Sequence, residues 1–201
     1  MTRRTLSILV GGACVAAVLR AGASAQDVEF IRALEAAQRE RPAHLSSSAR
    51  IAPETEPGTP LVVHGRVFAA DGKTPLDNAV VFAYHTDRGG VYDRPGAPPH
   101  SWRLKGWAKT GPDGRFDFRT IRPSPYPGRR EAAHIHVTLF TSDGKRYHAG
   151  GLLFQDDVLV TAKEREASRR EGMFGSVRPV RGEGAVEHVE FNARVMVSRQ
   201  F

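Results

Sequence analysis

Residues 133–154 read AHIHVTLFTSDGKRYHAGGLLF, and this stretch decides the fold class. Its first half, Ala133–Thr141, is an apolar run with few polar residues, and its second half is Lys145–Phe154. Between them lies Ser-Asp-Gly at residues 142–144. Asp-Gly between two strand-like runs is a strong hairpin signal. The stretch therefore predicts two antiparallel β-strands joined by a tight turn.

Further runs of this kind precede and follow the hairpin, separated by turn signals. The predicted strands cover Leu61–Ala69, Ala79–Thr86, Gly106–Thr110 and Arg115–Ile121. Near the end of the chain, apolar residues alternate with polar ones over residues 189–197, which is typical of a half-buried strand. Regularly spaced hairpins predict an all-β protein, an antiparallel β-sandwich. We place this sandwich domain at residues 61–201.

A short helix and an irregular arm are predicted in front of the sandwich, at residues 26–60. Residues 27–41 carry apolar side chains at helical spacing among charged residues. Residues 42–60 are rich in Pro, Ser, Thr and Glu and favour irregular structure. A second short surface helix is predicted at Thr161–Arg170, where the charged side chains leave little of an apolar stripe.

Residues 1–25 have the pattern of an export signal. Arg3-Arg4 provide a positive start, an apolar run follows, and Ala-Ser-Ala at residues 23–25 is a cleavage site before Gln26. The arginine pair resembles a twin-arginine signal, the bacterial route for proteins exported already folded. An ordinary secretory signal is the alternative. The run is too short for a comfortable bilayer span and Arg20 interrupts it, so we expect no stable membrane anchor.

Composition excludes several classes of protein. The chain has 201 residues, of which 40% are hydrophobic and 25% charged, as in a soluble globular domain. Without residues 1–25 it loses three arginines and no acid, so the formal charge falls from +7 to +4. Its arginines are scattered without a nucleic-acid motif, so no nucleic-acid partner is expected. Cys14 is the only cysteine, so the mature chain has neither disulfides nor thiolate ligands.

Two histidines on the predicted strand are candidate metal ligands. His134 and His136 are two positions apart, so their side chains project from the same strand face, about 7 Å apart along the strand. Imidazole suits iron, copper and zinc. The pair can therefore converge on one metal ion.

Two tyrosines in long predicted loops extend this candidate site. Tyr126 lies between Pro125 and Pro127, which restrict the backbone on both sides. Tyr92 lies in the longest irregular stretch, residues 88–104, and long loops inside compact domains are usually functional. A phenolate oxygen is a hard anionic donor. Two tyrosinates with two neutral histidines would suit a ferric ion by cancelling two of its three charges.

The order of these motifs resembles the intradiol ring-cleavage dioxygenase family. The resemblance covers roughly residues 60–155 and is greatest to the catalytic core of protocatechuate 3,4-dioxygenase subunits. It depends on the following motifs: Gly90-Val91-Tyr92, the hairpin GPDGRFDFRTIRP at residues 111–123, Pro125-Tyr126-Pro127 and Ala133-His134-Ile135-His136. A cupin is disfavoured because no glutamate closely follows His136.

The resemblance implies an iron(III) cofactor held by Tyr92, Tyr126, His134 and His136. By position, Tyr126 and His136 match the axial ligands of the family, and the other two match the equatorial ones. It also implies a catechol substrate and dioxygen, with Tyr126 acting as both ligand and base. The product would be a muconate-type dicarboxylic acid, formed by opening the bond between the two hydroxyl-bearing carbons.

Three positions depart from the family pattern near the implied substrate. Glu131 stands where relatives have an arginine, three residues before the first histidine. We therefore take the preceding Arg130 as the candidate cation for substrate binding and catalysis. Gly151 replaces a glutamine and Gly128 replaces a bulky aromatic residue. Both glycines are predicted to border the substrate. Together, the three departures predict a wider pocket, a different catechol substrate or slower chemistry, and the sequence does not decide among these.

Other readings stay open at this point. A non-catalytic periplasmic β-sandwich that binds a metal or a catechol-like ligand such as a siderophore would also carry this donor set. A copper oxidase is a third reading. His85, His100 and His148 are expected at the surface or in the pocket wall. Family members form dimers or larger assemblies, so a homo-oligomer remains an expectation without a fixed stoichiometry.

Overall fold

The computed structural model describes residues 25–98, 100–196 and 200. The predicted export signal therefore falls outside the described residues, except for Ala25. The helices are α1 (Ala25–Arg39) and α2 (Ala162–Glu171), with a 3-10 turn at Gly172–Phe174. The strands are β1 (Ser48–Arg50), β2 (Pro60–Phe68), β3 (Val80–His85), β4 (Leu104–Lys109), β5 (Arg115–Ile121), β6 (His134–Phe140), β7 (Arg146–Phe154), β8 (Val177–Arg178), β9 (Val180–Glu183), β10 (Val186–Glu190) and β11 (Ala193–Arg194).

Two sheets pack face to face, which confirms the predicted β-sandwich. The first sheet has the order β1-β5-β2-β10-β9, with β11 also paired to β2, and the second has the order β4-β3-β6-β7-β8. The long strands pair antiparallel, as predicted. Short pairs add parallel connections that the sequence did not predict: β1–β5, β2–β10, β2–β11 and β7–β8.

The core lies between the sheets because alternate residues of each strand point inward. Buried apolar side chains from both sheets form it: Val63, Val81, Ala83, Phe116, Phe118, Ile135, Val137, Leu152, Phe154 and Phe191. Strand β3 is buried along its whole length. Its outward residues Phe82 and Tyr84 are covered by α1, which packs Leu34 and Ala37 against them and Trp102. Helix α1 therefore protects the outer face of the second sheet.

Most predicted elements are confirmed, with shifted ends. Strand β5 has the predicted bounds, and α1 begins and ends two residues before the predicted helix. Helix α2 also agrees with its prediction and begins with a capping box. In it, the Thr161 hydroxyl accepts the Glu164 N–H at 3.2 Å and the Glu164 carboxylate accepts the Thr161 N–H at 2.7 Å. Among the described residues, no helix is long and apolar enough to cross a bilayer.

The prediction of one strand over residues 189–197 is wrong, because the chain breaks there into β10 and β11. The amide oxygen of the buried Asn192 accepts the Arg66 N–H at 2.9 Å, where a backbone carbonyl would continue the ladder. The carbonyl of Phe191 lies so close to Gly65 that a Cβ on this glycine would be 1.9 Å from its oxygen. Val197 falls outside the described residues.

The predicted irregular arm also contains a strand, β1. It pairs in parallel with β5, and the Ser48 hydroxyl donates to the Asp117 carboxylate at 2.6 Å. Three residues without an apolar pattern carry no strand signal in the sequence. The pairing is set by the neighbouring strand β5, and β1 adds one edge strand to the first sheet.

Candidate metal centre

Two loops and one strand bring the four predicted ligands together. His134 and His136 alternate on β6 with the buried residues Ile135 and Val137, so both histidines face away from the core. Tyr92 comes from the loop between β3 and β4, and Tyr126 comes from the loop between β5 and β6. The site thus lies on the outer face of the second sheet, beside the aromatic residues that α1 covers.

The four donor atoms converge on one point. The phenol oxygens of Tyr92 and Tyr126 are 2.5 Å apart, and the Nε2 atoms of His134 and His136 are 3.0 Å apart. The Tyr126 oxygen lies 3.0 Å from His134 Nε2 and 3.4 Å from His136 Nε2, and the Tyr92 oxygen lies 2.8 Å from His136 Nε2. Ligands about 2.0 Å from a common metal are separated by about 2.8–3.3 Å. Three of the five distances lie in this range, so the spacing suits one ion.

The tautomer of His134 also fits a metal ligand. Its Nδ1–H donates to the carbonyl oxygen of Ala132 at 2.8 Å, which leaves the Nε2 lone pair directed at the other donors. Metal-ligating histidines commonly use their second nitrogen in this way. Two hard phenol oxygens and two imidazole nitrogens form a donor set that fits a ferric ion.

Electrostatics keep both kinds of ligand neutral when no cation is present. Burial, and secondarily the neighbouring His134, lowers the pKa of His136 to about 3, so its imidazole is unprotonated at neutral pH. Burial also raises the pKa of Tyr92 and of Tyr126 above the usual value. A trivalent cation is strong enough to deprotonate such phenols, since bound metals remove protons from their ligands outright.

The loop of Tyr92 is fastened by a charged network. The Asp87 carboxylate accepts the Val91 N–H at 3.2 Å, and the Arg103 guanidinium binds Asp87 at 3.1 Å and Glu56 at 2.6 Å. The backbone N–H of Arg103 donates to the backbone carbonyl of Tyr92 at 3.1 Å. Charge-assisted bonds of this kind are the stronger ones in proteins. They hold the phenol in place before any metal binds.

The two tyrosine loops are also joined to each other. The Thr86 hydroxyl donates to the carbonyl of Ser124 at 2.7 Å, and the Ser124 hydroxyl donates to the carbonyl of Arg88 at 2.8 Å. Gly90 packs against Pro125 so closely that a Cβ would lie 2.0 Å from the proline carbonyl oxygen. The separation between the loops therefore depends on the absence of a side chain at Gly90.

A model of the family described as "Dioxygenase" matches residues 36–195 of this chain. The chain belongs to the intradiol ring-cleavage dioxygenase family. It is 40% identical over 142 residues to catechol 1,2-dioxygenase 1 of Acinetobacter lwoffii, and the alignment covers 62% of this chain and 45% of the relative. It is 30% identical over 135 residues to the chlorocatechol 1,2-dioxygenase of Rhodococcus opacus, which covers 58% of this chain and 51% of the relative. The chain thus spans about half the length of these curated relatives.

Solved structures of the family have the same fold. The dioxygenase domain of a dioxygenase carbohydrate-binding protein fusion from Streptomyces sp. SirexAA-E aligns with a TM-score of 0.56 and 27% identity, covering 78% of this chain and 94% of that one. Catechol 1,2-dioxygenase from Pseudomonas arvilla C-1 aligns with a TM-score of 0.57 and 20% identity, and the alignment covers 84% of this chain and 67% of that one. The second likeness, at that identity, concerns the fold alone.

In this family member, a cavity of about 770 Å³ gives access to the histidines. His134, His136 and Gly151 line it on one side, and α2 with the following 3-10 turn lines it on the other. The predicted contact residue Gly151 therefore borders the donor set. A Cβ there would be 3.7 Å from the nearest atom outside its neighbours, so its missing side chain leaves space in the cavity.

The other two predicted substrate contacts lie elsewhere. Arg130 and Gly128 are exposed and do not line this cavity. The arginine that contacts the ligand set is Arg129, whose guanidinium carbon is 5.6 Å from the centre of the Tyr126 ring. Both arginines are exposed loop residues, and the sequence alone does not determine which one approaches the donor set. Substrate contacts by Arg130 and by Gly128 therefore remain predictions.

Three structural features of the site have no clear signal in the sequence. Tyr84 packs against His136 from β3, and Trp102 packs against Tyr84 in turn. Trp102 has a φ of +44°, a strained conformation for a bulky residue. His85, expected at the surface or in a pocket wall, is fully buried, whereas His148 does line the cavity. The apolar run at Ala79–Thr86 predicted a strand, but the burial of both faces of β3 depends on the covering helix α1.

Proposed function

We propose that this protein is an exported iron(III)-dependent dioxygenase that opens a catechol-type ring between its two hydroxyl-bearing carbons. The observation that carries this proposal is the convergence of two phenol oxygens and two imidazole nitrogens within 2.5–3.4 Å of one another. The catechol 1,2-dioxygenases among the relatives support the substrate class. One dioxygen is consumed per ring, and both of its atoms enter the two new carboxyl groups.

The residues that would hold the iron are Tyr92, Tyr126, His134 and His136. When bound, iron(III) supplies a Lewis acid that binds the catechol oxygens and draws electron density from the ring. The chain supplies the fixed geometry around it. The fastened loop of Tyr92 and the Nδ1 hydrogen bond of His134 hold those two ligands in place.

Tyr126 has the position of a proton acceptor for the substrate. Its loop runs directly into the exposed residues Pro127 and Gly128, so this ligand is the less firmly packed of the two tyrosines. A phenolate oxygen on Tyr126 would be able to accept a hydroxyl proton from a catechol bound beside it. Tyr126 would therefore act both as a ligand and as a base.

The carboxylate in the cavity wall favours one alternative, a non-catalytic metal- or catechol-binding protein. Glu131 would oppose the build-up of negative charge on a bound catecholate, whereas Arg130 lies outside the cavity. Oxygen uptake separates the two functions. Iron-loaded protein with added catechol should consume one dioxygen per ring if it is the enzyme, and none if it is only a binder. Elemental analysis of the purified protein distinguishes iron from copper.

The export part of the proposal depends on residues 1–25. The arginine pair, the apolar run and the Ala-Ser-Ala site support translocation to the periplasm or the medium by the twin-arginine route. The mass of the exported protein tests the cleavage site, since the mature chain should begin at Gln26. Replacing Arg3 and Arg4 together by lysine should block export by that route. Normal export of this double variant would contradict it.

A further inference from the structure

One charged residue in the cavity wall lacks a partner. Glu131 is exposed, lines the same cavity as His134 and His136, and forms no ion pair with any residue among 25–98, 100–196 and 200. It is preceded by two arginines, but neither of them lines the cavity. The carboxylate is therefore free to meet a charged group on a bound molecule.

The other carboxylates of the cavity wall are already engaged. The Glu164 carboxylate accepts the Thr161 N–H at 2.7 Å as part of the helix cap, and Glu171 pairs with Arg194 at 2.9 Å. The cation in the same wall, Arg170, pairs with a glutamate of its own helix at 3.2 Å. The carboxylate of Glu131 is thus the charged group of this cavity wall that remains available to a bound ligand.

The cavity has room for more than a bare ring. Its volume of about 770 Å³ lies in the range that accommodates drug-sized ligands, about 300–1,000 Å³. Gly150 and Gly151 form part of its floor and contribute no side chain. A catechol held by its hydroxyl groups at the donor set can thus carry a substituent into the space that Glu131 borders.

We propose that Glu131 selects catechols with a positively charged substituent, such as an alkylammonium group, over catechols with a carboxylate substituent. An ammonium group gains Coulomb attraction from the unpaired carboxylate, whereas an anionic substituent is repelled by it. The inference depends on the proposed ring cleavage and specifies its substrate class. Repulsion of the wrong substrate contributes to specificity as much as attraction of the right one.

The test compares two probes of similar size and opposite charge. Dopamine carries an ammonium group and dihydroxyphenylacetate carries a carboxylate, and unsubstituted catechol is the neutral reference. Iron-loaded protein is assayed for kcat/KM by oxygen uptake, and Kd is measured for both charged probes by calorimetry under nitrogen. We expect dopamine to be preferred by about tenfold or more, which corresponds to about 1.4 kcal/mol.

Two substitutions connect the preference to this residue. In Glu131→Gln the preference for dopamine over dihydroxyphenylacetate should shrink about tenfold, whether it is measured by kcat/KM or by Kd. In Glu131→Lys the preference should reverse. Glu183→Gln is the matched control, since it makes the same change in net charge on the other sheet. This control should keep the wild-type ratio, because a distant exposed charge is screened by salt.

The results separate this inference from the proposed function. If catechol is cleaved but the wild type treats both charged probes alike, or if Glu131→Gln keeps the wild-type ratio, the selection by Glu131 is wrong and the ring cleavage remains. If iron-loaded protein consumes no dioxygen with any of the three probes, the proposed function itself fails, and the substrate class fails with it.

Discussion

The phenol ring of Tyr84 stacks on the imidazole ring of His136, with ring centroids 4.6 Å apart and ring planes inclined by 12°. The two residues are direct cross-strand partners on β3 and β6. On its other side Tyr84 stacks on Trp102, with centroids 4.1 Å apart. Helix α1 covers this group through Leu34. A continuous stack thus connects the N-terminal helix to a candidate metal ligand and fixes the orientation of its ring.

Replacing Tyr84 should therefore weaken iron binding without removing a ligand. Tyr84→Leu removes the stacking surface, and we expect the Kd for iron to rise about 10- to 100-fold, as is usual when a group that orients a ligand is lost. Tyr84→Phe keeps the ring and is the matched control, with iron binding near that of the wild type. Competition with a chelator measures both. Equal iron affinity in the two variants would contradict an orienting role for the ring.

Gly90 should be essential for the spacing of the two tyrosine loops. A Cβ at this position would lie 2.0 Å from the carbonyl oxygen of Pro125, so Gly90→Ala must push the loops apart. The left-handed backbone should lower the free energy of unfolding by about 1–2 kcal/mol, and the clash should lower it by about 1–3 kcal/mol more. We also expect a loss of iron binding. Denaturant unfolding and iron content measure the two effects.

Gly96 offers a matched control for that variant. It lies in the same loop at a φ of +85°, close to the +76° of Gly90, but a Cβ there would meet no atom within 4 Å. Gly96→Ala should cost only the backbone term and keep iron binding. If both variants lose iron alike, the loss comes from loop conformation in general and not from the contact with Pro125.

Local patterns in the sequence predicted the main strands and the histidine pair. Strand β5 has its predicted bounds, and His134 and His136 share a face because alternation is a property of the extended backbone itself. The convergence of Tyr92 and Tyr126 on these histidines followed from the resemblance to a family. No local rule places two loops that are 34 residues apart in the sequence at one point.

Features that depend on distant partners could not be predicted. Strand β1 exists because β5 offers an edge to Ser48–Arg50, which lack a strand pattern of their own. Tyr84 is a ring support because α1 and Trp102 enclose it, and neither contact is visible in the spacing of β3. Arg129 and Arg130 follow the turn after Tyr126, and no local pattern offers a basis for choosing between these two arginines.

Acid should destabilise the protein through His85. Burial lowers its pKa to about 4, and the neutral ring donates from Nδ1 to the Thr86 carbonyl and accepts from the Thr120 hydroxyl, both at 2.6 Å. In the unfolded chain the pKa is about 6.5. Between these values the unfolded state binds a proton that the folded state does not. The stability is therefore complete above pH 6.5 and falls by up to about 3 kcal/mol as the pH drops to 4.

Unfolding of the metal-free protein in denaturant at several pH values measures this dependence. His85→Gln should lower stability at pH 7, because it disturbs two buried hydrogen bonds, but it should show a shallower fall between pH 6.5 and 4. The difference between wild type and variant cancels the contributions of all other groups. Parallel curves for the two proteins would show that His85 is not the origin of the acid sensitivity.

Removing the phenol oxygen of Tyr126 should separate metal binding from chemistry. Tyr126→Phe keeps the ring but loses the oxygen that lies 2.5 Å from that of Tyr92 and 3.0 Å from His134 Nε2. Three donors remain, so we expect iron to be retained with reduced affinity, while the visible charge-transfer band from tyrosinate to iron weakens. Ring cleavage should fall about 10²- to 10⁴-fold, because the same oxygen is the proposed base. Tyr147→Phe, on a buried tyrosine of β7 outside the donor set, is the control and should keep both the band and the rate. An unchanged spectrum and rate in Tyr126→Phe would exclude this residue as ligand and base.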